Sequence, residues 1–177
     1  MALTFLVETG TGLVADTTSY VSIAEADDYM SAVVQNTAWD ALLDADKELR
    51  LMQATRVLDV FTRYNGNKSV NASPLRWPRC GILDRDEIAV DSDIIPEGVK
   101  NATIELANLL ISVDLNAEAS TKGIQKIVAD VVEIEFLHGS DGQGVEKRKF
   151  PSIINAHLIG LGFFSLRVSG GGKIRRA

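Results

Sequence analysis

The sequence predicts a mainly α-helical protein: a bundle of about four helices with a small β element and an extended C-terminal arm. Three observations carry this. Apolar residues recur at three- and four-residue spacing in four separate segments. One further segment is rich in β-branched residues and alternates with a period of two. The chain then ends on a stretch holding three consecutive glycines, 170–172, which reads as a flexible linker before a basic tip.

The first helix is expected over 23–34, ending near Asn36. Ser22 with Glu25 three residues on forms a capping box, and Ile23, Ala26, Tyr29 and Met30 mark one face. A short helical turn around Trp39 to Leu43 leads to the longest segment, 45–63, where Leu51, Ala54, Thr55, Leu58 and Phe61 or Thr62 share a face. Asp44 is its expected cap, and the Asn-Gly-Asn at Asn65–Asn67 its stop. The third helix, 96–114, has Pro96 in its first turn and turns Val99, Ala102, Leu106, Leu109, Leu110 and Val113 inward.

Residues 126–136, KIVADVVEIEF, read as one strand, with Val128, Val132, Ile134 and Phe136 set against Asp130, Glu133 and Glu135. HGSDGQG after it is a turn or loop. The fourth helix, 151–163, opens with Pro151 and Ser152 and is apolar nearly all round, so it needs cover on several sides. The expected division is a helical domain over 1–164 containing the β element, and a basic docking arm over 165–177.

The 177 residues, 46% of them apolar, suffice for one sizeable core. No run of 18 apolar residues is present, and the N-terminus lacks the basic start of a signal peptide, so no membrane partner is expected. The single cysteine, Cys80, makes no intrachain disulfide; with His138 and His157 it makes no zinc site without carboxylates, and it reads as a small half-buried apolar residue. The net charge of −6 argues against a surface devoted to gripping phosphates. That charge is uneven: residues 165–177 carry Arg167, Lys173, Arg175 and Arg176 and no acid, a +4 tail on a −10 body.

Motifs with chemistry are sparse, and neither an enzyme nor a cofactor is expected. GTG at 10–12 and GGG at 170–172 lack the spacing and flanking elements of phosphate loops. His138, Ser140 and Asp141 are neighbours on one turn, whereas a triad converges from separate rigid elements. Asp27 with Asp28, and Asp84 and Asp86 with Glu87, read as solvated faces.

The stretch Ser73–Asp86, SPLRWPRCGILDRD, concentrates a tryptophan, two prolines and two arginines in seven residues. Trp77 and Pro78 make a stiff extended segment with a large apolar face. Arg76 and Arg79, three apart, are each placed to pair with an acid, within one subunit or across an interface. These four residues are read as a structural clip between the second and third helices, with stacking on nucleic acid as the other possibility.

In this order, ETGTGLVADTTSYVSIAEADDYM, Trp39 with KELRLMQATRVLD, LRWPRCGILDRD, IPEGVKNATIELA and KIVADVVEIEF resemble a family of bacteriophage proteins. The family carries the label "DnaT-like ssDNA-binding" and is understood as head-to-tail adaptor, or head-completion, proteins. The resemblance implies a helical subunit that closes into a ring, usually of about twelve copies, under the portal at the neck of the virion. It implies as partners the portal protein, a tail or stopper protein, other copies of the same chain, and double-stranded DNA that passes through the channel without specific binding. An acidic body suits that passage, because it repels phosphates. The arm, with Phe164, Arg167, Lys173, Ile174, Arg175 and Arg176, is expected to dock on the portal through its cations and one apolar anchor. The alternative is a single-stranded nucleic-acid binding module; such modules combine a basic groove with stacking aromatics, whereas aromatics are only 6% of this chain.

Overall fold

The computed structural model describes residues 4–11, 15–34, 36–112, 126–129, 132–138, 144–149 and 152–164. They fall into two units: one comprises Met1–Ala119 with Ser152–Phe164, the other Ser120–Pro151 with Ser165–Ala177. The first unit is mainly helical. The β element, expected within a 1–164 domain, lies in the second unit, and the expected arm, 165–177, lies outside the described residues.

In the helical unit, α1 (Ile23–Ser31) starts on the anticipated capping box: the Glu25 amide donates to Ser22 Oγ at 3.3 Å, and the Ser22 amide to Glu25 Oε2 at 2.9 Å. It stops short of residue 34. The Ser31 hydroxyl donates to the Asp28 carbonyl, and the Ala32 and Val33 amides fall back on carbonyls three residues earlier, which closes the helix. The turn expected near Trp39 is α2 (Thr37–Asp40), with Trp39 fully buried. Its indole N–H donates to Asp27 Oδ1 at 2.7 Å, where the buried Lys47 ammonium also arrives at 2.8 Å. Asp27 is thus a structural tie rather than part of a solvated face. Burial acts to raise its pKa, and the Lys47 and Trp39 hydrogen bonds overcome that and hold it below the ordinary value.

Helix α3 (Asp44–Phe61) buries Leu51, Ala54, Thr55 and Leu58, as the spacing predicts. Asp44 is its first residue rather than its cap; Leu43 holds the cap position without a side-chain bond. The helix ends at Phe61, before the Asn-Gly-Asn, because Thr62 is already extended and opens β1 (Thr62–Tyr64). Two residues on, β2 (Asn67–Lys68) pairs antiparallel with β3 (Arg79–Cys80), and Gly66 between β1 and β2 takes φ +61°. A Cβ there would lie 2.3 Å from the Cys80 carbonyl oxygen, so only glycine fits.

Helix α4 (Glu97–Ser112) follows Pro96 and buries Val99, Ala102, Leu106, Leu109 and Leu110, together with Thr103, Ile104 and Ala107; Val113 lies outside the described residues. It packs against α1, α2, α3 and the later helix α5 (Ser152–His157) and forms the centre of the core. Helix α5 (Ser152–His157) is half the expected length. After His157 the chain turns through Gly160, at φ +83°, and runs as β7 (Gly162–Phe164) antiparallel to β1, pairing Thr62 with Phe164, Arg63 with Phe163 and Tyr64 with Gly162. The apolar run that suggested a longer helix is split: Ile154, Leu158, Leu161 and Phe164 go inward, Ile153, Ile159 and Phe163 outward.

The second unit holds β4 (Lys126–Ala129), β5 (Val132–His138) and β6 (Gly144–Lys149), an antiparallel sheet in that order. The segment expected as one strand is two, because Ala129 pairs with Val132 and leaves only Asp130 and Val131 between them, a hairpin spacing. Glu133 stands opposite Lys149, and Glu135 opposite both Lys126 and Lys147 in the ladder. The predicted turn lies between His138 and Gly144, which pair; Ser140 and Asp141 lie outside the described residues.

Candidate interaction surface

The Ser73–Asp86 stretch, read as a clip, lies in the connection between α3 and α4. Trp77 is fully buried, meets Tyr64 edge to face at 5.7 Å, and is joined to the buried Pro78 by a cis peptide bond. The clip is fastened to Asp59 in the last turn of α3. Tyr20 Oη donates to Asp59 Oδ1 at 2.6 Å, the Arg76 amide to Asp59 Oδ2 at 3.0 Å, and the Arg76 and Trp77 amides both reach Tyr20 Oη, at 3.1 and 3.2 Å. Burial pushes the Asp59 carboxyl above its usual range, against the pull of these bonds and of the Arg76 charge. Burial also drives the Tyr20 and Tyr64 hydroxyls well above theirs, and the Asp59 charge adds to it.

Among the described residues the arginines of the clip do not form the side-chain ion pairs that their spacing suggested. Arg79 donates to three carbonyls, those of Asn65 at 2.7 Å, Gly66 at 2.6 Å and Arg76 at 3.2 Å, and lies 5.8 Å from the Tyr64 ring centre. The reason is local: β2–β3 pairing sets Arg79 beside the bend at 65–66, whose carbonyls lack strand partners. Arg76 is bound through its backbone, and its side chain is exposed.

The charge around the clip is the reverse of that of the whole chain. Between Arg50 and Cys80 stand Arg50, Arg56, Arg63, Lys68, Arg76 and Arg79 against one acid, Asp59. Arg50 is spent on the Leu110 carbonyl, at 2.6 Å, and Lys68 on that of Ser73. Arg56 and Arg63 are exposed and have no hydrogen-bond or ion-pair partner among the described residues. The β1–β7 register puts Phe163, 63% exposed, directly across from Arg63, and Val60, 64% exposed, precedes it at the end of α3. An exposed aromatic beside an arginine with no partner among the described residues has the make-up of surfaces that bind proteins or unstacked bases.

A second surface of opposite sign lies between α1 and α4, an open cleft of about 460 Å³. Glu25, Asp28, Glu97 and Lys100 line it above the buried Ile95 and Ile104. Lys100 is committed to Glu25 at 2.5 Å. Burial acts to raise the Glu25 pKa, but Lys100 and the Ser22 cap outweigh it and hold the carboxyl below its ordinary value. Asp28 and Glu97 keep unpaired carboxylates among the described residues. Beside the cleft Tyr29 Oη donates to Glu105 Oε1 at 2.8 Å and lies 3.3 Å from His157 Nε2. Tyr29 is pushed well up, first by burial and then by Glu105.

Of the residues assigned to the arm, Phe164 is inside the helical unit: it is buried, meets Phe61 edge to face at 6.3 Å, and its amide donates to Asn155 Oδ1 at 3.0 Å. Arg167, Lys173, Ile174, Arg175 and Arg176 lie outside the described residues. Phe163 lies in the apolar stretch expected to need cover, but Arg63 and its pairing with Phe163 escaped the sequence reading, because a three-residue strand paired with one about a hundred residues away leaves no periodic signal. The cluster of bases between Arg50 and Cys80 was the sign that could have found them.

Among the described residues no group of His, Cys, Asp and Glu is arranged to hold a metal, and no helix is long and apolar enough to cross a membrane. No curated protein and no solved structure matches the chain. A family model does, over residues 3–176, which takes in the helical unit, the three-stranded sheet and nearly all of the basic C-terminus. The chain therefore belongs to the family described as "Putative DnaT-like ssDNA binding protein".

Proposed function

We propose that this protein is a non-catalytic assembly subunit, a head-to-tail adaptor of a tailed bacteriophage that closes into a ring beneath the portal and carries the DNA channel toward the tail. One observation carries the reading: an acidic helical body presents a compact exposed face, Val60, Arg63 and Phe163, with the aromatic, aliphatic and arginine make-up of a protein-binding surface. The likeness of the sequence blocks to phage adaptors supports it, and the net charge of −6 suits a channel through which DNA must slide. The basic arm, with Arg167, Lys173, Ile174, Arg175 and Arg176, docks on the portal in this scheme.

The family description favours a second reading, single-stranded nucleic-acid binding, and the Arg63–Phe163 pair gives it a location, since a base stacks on an exposed ring while a guanidinium meets a phosphate. Two measurements separate them. Immunogold labelling of virions is expected to mark the neck. Fluorescence anisotropy with a labelled oligo-dT at 50 mM salt is expected to show only weak, salt-sensitive binding. Absence of the protein from virions, together with submicromolar affinity for single strands, would replace the adaptor with the nucleic-acid module.

A further inference from the structure

We propose that the Val60–Arg63–Phe163 face seats on the acidic cleft between α1 and α4 of a second copy of this chain. This names the subunit contact and rests on the ring-subunit reading above. The two surfaces complement each other in charge and in shape of chemistry. One offers Arg63, with no partner among the described residues, across from an exposed phenyl ring; the other offers Asp28 and Glu97, likewise without partners among the described residues, above an apolar floor of Ile95 and Ile104. Lys100, the one cation among the described residues lining the cleft, is already neutralised by Glu25, so the charge these residues leave to an incoming group is negative. Arginine and aromatic side chains carry the largest shares of energy in protein interfaces, and complementary charges fix which copy docks and in what register.

The surfaces share no residue. Each copy therefore offers one of each, and where a copy uses the two on different neighbours the contact is heterologous and propagates until rotation closes it into a ring.

The same face is a poor track for nucleic acid. Asn65, two residues past Arg63, donates from Nδ2 to the Gly160 carbonyl at 2.7 Å. Gly160 in turn lies so close to the 84–85 backbone that a Cβ on it would be 2.8 Å from the Asp84 carbonyl carbon. The turn 84–87, with Asp84, Asp86 and Glu87 against Arg85, thus borders the end of β1 and sets net negative charge beside Arg79, so the basic face does not continue as an unbroken track past Arg63.

Two full-length variants test the proposal. Arg63→Glu with Phe163→Ala disables the basic face; Asp28→Lys with Glu97→Lys disables the cleft. Circular dichroism should show all three proteins equally helical. By light scattering on a sizing column at low salt, the unaltered protein is expected to associate, each variant alone to stay monomeric, and an equimolar mixture to give a 1:1 dimer, since one intact face of each kind remains. A monomeric unaltered protein at millimolar concentration, variants that associate as it does, or a mixture that stays monomeric would each overturn the proposal. In all three cases, neck labelling of virions would leave the adaptor reading standing. Tight oligo-dT binding lost in the Arg63→Glu, Phe163→Ala variant would instead assign the face to nucleic acid and overturn it as well.

Discussion

Asp59 ties three segments together, and its partners show what one carboxylate does in this protein. It accepts from Tyr20, 39 residues earlier, and from the Arg76 amide, 17 residues later. Asp59→Ala leaves those donors without their acceptor in a buried setting and is expected to destabilise the protein by about 2 kcal/mol in urea unfolding. Asp59→Asn keeps a carbonyl acceptor and is expected to cost clearly less. The pH dependence separates the two roles of this residue. Its pKa is raised in the folded protein, so its contribution to stability is full below the ordinary carboxylate value, about 3.9, and is lost as pH rises through the raised one. Asp59→Asn should flatten that part of the profile. Glu25, whose pKa is depressed, works in the opposite sense: its contribution is present above about 4.3 and is lost as pH falls through its lower folded value. The Ser22–Glu25 box was legible in the sequence because it is local. The Asp59 knot was not, because nothing in the chain's local pattern brings Tyr20 to Arg76.

At the scale of elements, the clip and the turn before β7 carry the sharpest expectations. Trp77→Ala empties a fully buried site beside Tyr64 and should cost about 3–5 kcal/mol by chemical denaturation. Trp77→Phe should cost much less, because the indole N–H has no hydrogen-bond partner to lose among the described residues. Gly160→Ala places a side chain at φ +83° against the 84–85 backbone, and a loss of more than about 1 kcal/mol is expected in the same assay. The long helices α3 and α4 were legible to within a few residues because each repeats its apolar face over several turns. Helix α5 was over-extended: an apolar run gives no sign of where a helix stops when the next strand is apolar too. The hairpin of β4 and β5 was merged into one strand for the same reason, alternation being blind to a two-residue reversal.

At the scale of the whole molecule, the helical unit closes on residues 152–164 and ends at Phe164. Truncation after Ser169 is therefore expected to leave the helical signal at 222 nm and its melting temperature unchanged, while virions assembled with the truncated protein should lose attachment at the portal. A fall in melting temperature of several degrees would show instead that the arm is part of the fold. The mainly helical class was readable from composition and period. The division into two units was not, because the chain leaves the helical unit after α4 and returns to it for α5 and β7, and no Pro- or Gly-rich linker announces the return.

That return sets a clock on the ribosome. Thr62, Arg63 and Tyr64 are made early, yet the strand that covers them is made about a hundred residues later. At about 5–20 residues per second, the gap is roughly 5–20 s of synthesis, besides the passage of the exit tunnel. Throughout that interval the nascent chain carries an unpaired strand edge, and Phe61 lacks its Phe164 neighbour. A message cut between the codons for Ser112 and Gly162 releases a polypeptide with α1 to α4 complete and that seam open, a fragment marked for chaperones and proteases.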